Sequence, residues 1–304
     1  MRQPADVTPC LNNLKGAMAK ISETNLILNE DGSVYHLSLL PKQISDTIIT
    51  VGDPNRVYRV SELFDDVEFE MNKREFITHV GTYKGKRITV MSTGIGTDNV
   101  EIFLTEHDAL VNIDLKTREP KSRKKKLKII RIGTSGALQE DIPVGTHLIT
   151  DYAVGFDNLM TFYDLKQDEF ETAIAADIQK KIGLPFTPYV VKGSEILKKQ
   201  IGEDMVAGNT VTTPGFYAPQ GREVRLTPRY PRLLEDLNYY HNKGSDFWLT
   251  NFEMETAGYY AMGRLLGHEV LSVNAIIANR IKNKFSKDPN KVVDSLIKKV
   301  LDRI

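Results

Sequence analysis

The 304-residue chain contains a single cysteine, Cys10, which excludes an internal disulfide framework. No apolar run approaches the roughly 18–20 residues of a membrane-spanning helix. Met1 to Asn13 lacks the apolar centre of a secretory signal. There is no excess of charge of either sign: Lys+Arg and Asp+Glu are both 40, for a formal net charge of zero. That argues against a surface built wholly for nucleic acid. At 41% hydrophobic residues, the chain is too apolar for a disordered solvating polymer. A cytoplasmic protein with no membrane segment and no nucleic-acid partner is the expectation.

Several motifs are also missing. No Gly-x-x-x-x-Gly-Lys-Ser/Thr phosphate loop occurs. Gly94-Ile95-Gly96-Thr97-Asp98-Asn99 lacks the third glycine of a dinucleotide fingerprint. Gly133-Thr134-Ser135-Gly136 is followed by Ala137, so it is not a nucleophile elbow. The six histidines form no His-x-x-x-His pair, and a single cysteine argues against a structural zinc site. These gaps argue against an NTPase, a dinucleotide-dependent dehydrogenase, a serine hydrolase and a zinc enzyme.

What is present alternates. Strands are predicted at Thr47–Val51, Arg87–Ser92, Lys128–Ile132, Thr146–Thr150, Tyr189–Val191, Met205–Val211, Trp248–Phe252 and Glu269–Ile277. Helices are predicted at Asn55–Phe64, Asn99–Ile113, Glu169–Lys181, Ser194–Ile201, Glu255–Leu266 and Pro289–Arg303, with Gly267 as a C-terminal cap. The alternation indicates an α/β fold around a buried sheet. Residues 1–33 are polar, with a short helix predicted around Leu14–Ile21 and a turn at Asn29-Glu30-Asp31-Gly32, and read as an N-terminal extension. Residues 34–304 read as one domain, with no repeat and no linker. Arg118–Lys128 carries seven basic residues and is expected to be a solvated loop, with an anionic-surface patch as the alternative.

Four clusters carry candidate chemistry. Val51-Gly52-Asp53-Pro54-Asn55-Arg56 joins a strand to a helix start. A free helix start and an Arg fork both suit an oxyanion. The alternative is an ordinary turn. Arg131-Ile132-Gly133-Thr134-Ser135-Gly136 places an arginine in an apolar strand, where it needs an anionic partner, a ligand or a structural carboxylate. Arg74 could join these two on one anion, or be a surface hairpin residue. Asn251-Phe252-Glu253-Met254-Glu255-Thr256 sets two carboxylates at a strand-to-helix junction. They could hold adjacent hydroxyls, as on a ribose, or pair as glycosidase acid and nucleophile; for Glu255 the alternative is serving the helix start. In Thr212–Arg222, Gln220 offers a donor and an acceptor and Arg222 offers donors, which complements an imide edge such as that of uracil. Phe216 could stack on a flat base. The alternative is a Pro/Gly-rich surface loop.

In this order, and with His36-Leu37, Arg74-Glu75-Phe76 and Ser92-Thr93-Gly94-Ile95-Gly96, the clusters resemble the nucleoside phosphorylase superfamily, on its uridine phosphorylase branch. The resemblance runs from Tyr35 to the C-terminus. It implies a single-domain α/β fold with a mixed, distorted central sheet flanked by helices. It implies phosphate binding by Gly52, Arg56, Arg131, Thr134 and, from a neighbouring subunit, Arg74. Ribose would be held by Met254 and Glu255 with Thr134 close by, and its 5′-hydroxyl by His36 of the neighbour. Phe216, Gln220 and Arg222 would meet the base, with Arg222, Gln220 and Arg131 as the catalytic set.

The same resemblance implies no required cofactor, inorganic phosphate as co-substrate, and a potassium-type cation at a subunit interface near Glu75, Ile95 and Asn99. Asn99 departs there from the family's serine. A homodimer is the implied minimal unit, with a hexamer as a further assembly. The expected activity is reversible phosphorolysis of uridine to uracil and ribose 1-phosphate. Alternatives are a phosphorylase of broader or purine specificity, a nucleosidase on the same scaffold, and a nucleoside-binding protein without turnover. Ala278-Asn279-Arg280 stands where purine-specific relatives carry an aspartic acid, which favours a pyrimidine.

Overall fold

The apolar run Thr47–Val51 is strand β1, buried because it lies between two parallel neighbours. The computed structural model describes residues 20–304. Asp53 accepts from the Asn55 backbone N–H and Pro54 fits the first turn, so α1 (Pro54–Ser61) begins directly after β1. A three-strand meander follows: β2 (Asp66–Lys73), β3 (Phe76–Tyr83) and β4 (Lys86–Ser92). Then come α2 (Thr97–Asn112), a small hairpin of β5 (Ile113–Asp114) and β6 (Glu119–Pro120), β7 (Lys128–Ala137) and β8 (His147–Gly155).

The second half runs α3 (Glu169–Ile182), β9 (Tyr189–Lys192), α4 (Glu195–Ile201), β10 (Val206–Thr212) and α5 (Leu233–Tyr239). It continues with a hairpin of β11 (His241–Asn242) and β12 (Phe247–Trp248), then β13 (Asn251–Glu253) and α6 (Thr256–Leu266). It ends with β14 (Glu269–Asn279), β15 (Lys284–Phe285) and α7 (Pro289–Arg303).

Eleven strands form one mixed sheet, in the order β15-β14-β8-β10-β13-β7-β1-β4-β3-β2, with β9 beside β8. β14 pairs with β8 on one side and β7 on the other, so five strands close on themselves. This closure is the distortion of the central sheet. Apolar clusters cover both faces, with α2 and α6 on one and α1, α4 and α7 on the other. Helix α6 is buried continuously from Thr256 to Gly263 and runs through the interior rather than over it.

The six helices predicted after residue 33 all form, within a few residues of their expected ends, and Gly267 caps α6 in the left-handed region at φ 77°. The main differences concern strands and α5. β2 and β3 were not expected: β2 carries Asp, Glu, Asn and Lys because it is the exposed edge of the sheet. β7 runs five residues beyond Ile132, because β14 keeps pairing beside its Gly- and Ser-containing end, with one bulge at Ile277. The single strand expected over Trp248–Phe252 is divided between β12 and β13. The short helix α5 was not anticipated.

The turn at Asn29–Gly32 forms, with Gly32 N–H donating to the Asn29 carbonyl at 2.9 Å. The helix expected around Leu14–Ile21 lies outside the described residues up to Ala19, and Lys20 and Ile21 are not helical. The basic stretch is largely exposed. It also serves the C-terminal end of α2: Lys121 Nζ donates to the Val111 carbonyl at 2.9 Å and Lys124 Nζ to that of Asn112 at 3.3 Å.

Candidate active site

A cavity of about 490 Å³ opens where β1, β4, β7, β13 and β14 end. Three helices start at its wall: α1 behind Gly52-Asp53-Pro54, α2 behind Gly94-Ile95, and α6 behind Glu253-Met254-Glu255. Helix starts offer backbone N–H groups and positive dipole ends, so their convergence favours an anion.

Arg131 lies at the floor and is 5% exposed. Its Nη2 contacts Glu255 Oε2 at 2.5 Å and Glu253 Oε2 at 3.0 Å, and its Nη1 donates to Asn274 Oδ1 at 3.1 Å. Burial opposes the charge on Arg131, but the two carboxylates outweigh it and raise its pKa. The side chain lies across Gly133. A Cβ at that position would sit 1.9 Å from Arg131 Nη1 and 2.7 Å from Asn274 Oδ1, so only glycine leaves the guanidinium room.

The two glutamates divide their work. Glu253 Oε2 accepts from the Glu255 and Thr256 backbone N–H groups at 3.0 and 2.9 Å, and its Oε1 accepts from Thr212 Oγ1 at 2.7 Å. It therefore closes the start of α6, the role sequence reasoning offered for Glu255. Glu255 instead accepts from the Gly96 N–H at 2.9 Å and from Arg131, and lines the cavity. Burial raises the Glu255 pKa; Arg131 opposes this and Glu253 adds to it.

Because both carboxylates neutralise Arg131, the uncommitted cation at this end is Arg56. Among the described residues it forms no ion pair. Burial lowers its pKa, and Asp53 partly restores it.

At the other wall, Gln220 is 3% exposed and donates through Nε2 to Thr213 Oγ1 at 3.0 Å. Arg222 Nη1 donates to Gln220 Oε1 at 2.5 Å, and its guanidinium lies 3.7 Å from the Phe216 ring centroid. Burial first, then repulsion from Arg280, lowers the Arg222 pKa to about 10. Arg280 Nη1 in turn donates to the Gln220 backbone carbonyl at 3.2 Å.

Of the residues expected at the site, Gly52, Arg56, Ile95, Arg131, Thr134, Phe216, Gln220, Arg222, Met254 and Glu255 line this one cavity. His36, Arg74, Glu75 and Asn99 do not. Arg74 is exposed and His36 is half-buried, and the Tyr35 ring joins them: its centroid is 4.8 Å from that of His36 and 5.9 Å from the Arg74 guanidinium carbon. Glu75, Ile95 and Asn99 group around Gly94, where Asn99 Nδ2 donates to the Ile95 carbonyl at 3.3 Å.

Sequence reasoning missed Ile277 and Phe285, which also line the cavity beside Ala278. Ile277 occupies a bulge, since Ile276 pairs with Ser135 and Ala278 with Gly136. No local signal in the sequence marks such a bulge.

The model of the Phosphorylase superfamily matches residues 46–302. The chain is 31% identical over 262 residues to the uridine phosphorylase of Thermococcus kodakarensis, covering 85% of this chain and 82% of that one. It is 25% identical over 239 residues to a DeoD-type purine nucleoside phosphorylase of Colwellia psychrerythraea, covering 78% and 84%. A solved nucleoside phosphorylase of Trypanosoma brucei, described as showing uridine phosphorylase activity, superposes with a TM-score of 0.84 at 28% identity. That match covers 91% of this chain and 98% of the other.

Proposed function

The chain belongs to the phosphorylase superfamily, and we propose that it is a pentosyltransferase that cleaves uridine reversibly with phosphate to give uracil and ribose 1-phosphate. One observation carries this reading. A single cavity joins an anion-attracting end, built by the starts of α1 and α2 with Arg56 beside Arg131, to a Gln220–Arg222 wall suited to an imide.

Phosphate would bind against Gly52, Arg56, Arg131 and Thr134. Glu255 would accept the ribose hydroxyls beside Met254. The C1′–N1 bond breaks and its electron pair leaves with the base, while a phosphate oxygen forms the new bond to C1′. The sugar passes through an oxocarbenium-like state, which the phosphate anion stabilises. Arg222 and Gln220 would meet the negative charge that develops on the uracil imide. Gln220 retains one N–H and one lone pair beyond its bonds to Thr213 and Arg222, enough to read a base edge. Phosphate is the co-substrate, and no step needs a cofactor.

The charge balance supports a shared site. With Arg131 neutralised by two glutamates, a phosphate dianion meets one free arginine from its own chain. Arg74 of a second copy would supply the other, and His36 of that copy the contact to the 5′-hydroxyl. A homodimer is then the minimal active unit, and a hexamer would be a trimer of such dimers. A monovalent cation near Glu75, Ile95 and Asn99 has weaker support, because the Ile95 carbonyl already accepts the Asn99 amide. The single cysteine suits a cytoplasmic location.

Asn279 favours a pyrimidine over a purine. Its Nδ2 donates to the Gln139 and Ile142 carbonyls at 2.8 and 2.9 Å, and its Oδ1 accepts from the Ile281 and Lys282 N–H groups at 3.1 and 2.8 Å. It is committed to the backbone and does not line the cavity.

The test is uracil release from uridine, followed by absorbance with and without inorganic phosphate, beside inosine as competitor. Phosphate-dependent release with ribose 1-phosphate formed is expected. Release without phosphate would make the protein a nucleosidase, and preferential cleavage of inosine would reassign the base.

A further inference from the structure

We propose that Glu106 is the positioning residue for His36. Its carboxylate would fix the imidazole in the tautomer with hydrogen on Nδ1, leaving Nε2 as an acceptor for the 5′-hydroxyl of a nucleoside in a second copy's site. The inference rests on the role proposed above for His36.

Glu106 lies on α2 and is 7% exposed. Its Oε1 accepts from the His36 backbone N–H at 3.0 Å and lies 2.6 Å from His36 Nδ1. Its Oε2 accepts from the His36 and Leu37 backbone N–H groups at 3.1 and 2.9 Å. An ionised carboxylate only accepts, so a contact of this length puts the hydrogen on Nδ1. The two backbone donors stop the carboxylate from turning away. Among the described residues, Glu106 pairs with no Lys or Arg, so these bonds alone compensate its buried charge.

A carboxylate serving only the loop would need just the backbone pair. The third bond, to the ring, adds an orientation. Tyr35 packs edge-on against the ring, at an interplanar angle of 80°. The His36 side chain remains 30% exposed, and Nε2 has no hydrogen-bond partner among the described residues. The ring is thus held at one nitrogen and at one face, and the other nitrogen is presented outward. Neutral imidazole works this way wherever one nitrogen must accept, with the opposite nitrogen's partner choosing the tautomer.

The experiment compares uridine with 5′-deoxyuridine on the full chain, in the wild type, Glu106→Gln, His36→Ala and the double variant. The readout is the ratio of kcat/KM for the two substrates. Glu106→Gln is expected to lower that ratio by on the order of tenfold, the weight of one hydrogen bond. His36→Ala should do the same, and the double variant should go no lower. Glu106→Asp keeps the charge but withdraws it by one methylene, and is expected to behave like Glu106→Gln. If a Glu106 variant slows both substrates equally, the residue is only structural and the proposal fails.

Imidazole nitrogen NMR tests the same point without turnover. The Nδ1–H tautomer of His36 in the wild type, lost in Glu106→Gln, supports the proposal; an unchanged tautomer overturns it. A wild type that does not prefer uridine over 5′-deoxyuridine would instead remove the role of His36, and the function reading would fail separately.

Discussion

Arg222 stacks on Phe216 at 3.7 Å from the ring centroid while donating to the Gln220 side-chain carbonyl at 2.5 Å. One residue therefore links the aromatic wall to the amide wall of the cavity. Its planar fork suits both contacts at once, as a lysine ammonium would not. The nearby Arg280 holds the Gln220 backbone, so the base-reading segment is tied to β14 as well as to its own loop.

Arg222→Ala is expected to lower kcat for uridine by about 10²–10³, the usual cost of losing a donor aimed at developing charge. Thermal stability should change little, because the side chain lies at the cavity wall. Arg222→Lys should recover only part of the rate. Steady-state kinetics beside a melting curve checks this, and near-normal turnover in the alanine variant would sink the base role.

Gly133→Ala is expected to abolish most phosphate-dependent turnover. The new Cβ would occupy the place of the Arg131 guanidinium, and Arg131 cannot leave without exposing Glu253 and Glu255 to each other. Activity at saturating uridine over a phosphate titration is the measurement. An unchanged phosphate KM would count against the assigned position of Arg131.

Arg131→Met should destabilise the fold by about 3–5 kcal/mol, because it strands two buried carboxylates. Glu253→Gln should cost about 1–2 kcal/mol, in line with the loss of a helix cap. Urea unfolding of both variants tests the order: Glu253→Gln proving the more damaging would contradict it.

The buried His107 gives a pH dependence. Burial lowers its pKa from 6.5 to about 4, and its Nδ1 bonds the Phe103 carbonyl at 2.9 Å. Between those values the unfolded chain binds a proton that the folded chain refuses. Stability is therefore full above about pH 6.5 and falls as pH drops toward 4, by on the order of 3 kcal/mol from this group. His107→Gln keeps a donor to Phe103 and should flatten that window in a pH series of urea midpoints. A wild-type slope retained in the variant would assign the effect elsewhere.

Arg74→Ala and Arg56→Ala should each be nearly inactive alone. If the site is shared, subunits mixed after unfolding and refolding should recover about a quarter of wild-type activity, since half of randomly formed dimers carry one intact site of two. No recovery would mean that each chain supplies its whole site.

The sequence alone determined six helices and most of the buried strands, because each has a local signature; ten residues that line the cavity were legible through such signatures together with the ordered resemblance. Pro and Asp mark helix starts, β-branched runs mark strands, and a charged fork in an apolar segment demands a partner. The sequence could not decide which glutamate closes α6 and which reaches Gly96 across the cavity, because both lie within three residues of the helix start. Only the pairing of β10 with β13, which brings Thr212 against Glu253, separates them. Nor could it show that β7 continues past Ile132, that Ile277 bulges into the cavity, or that Glu106 holds His36 across 70 residues of chain. These are long-range contacts. Periodicity and propensity report which face of an element is buried, but the partner on that face is chosen by closure of the sheet.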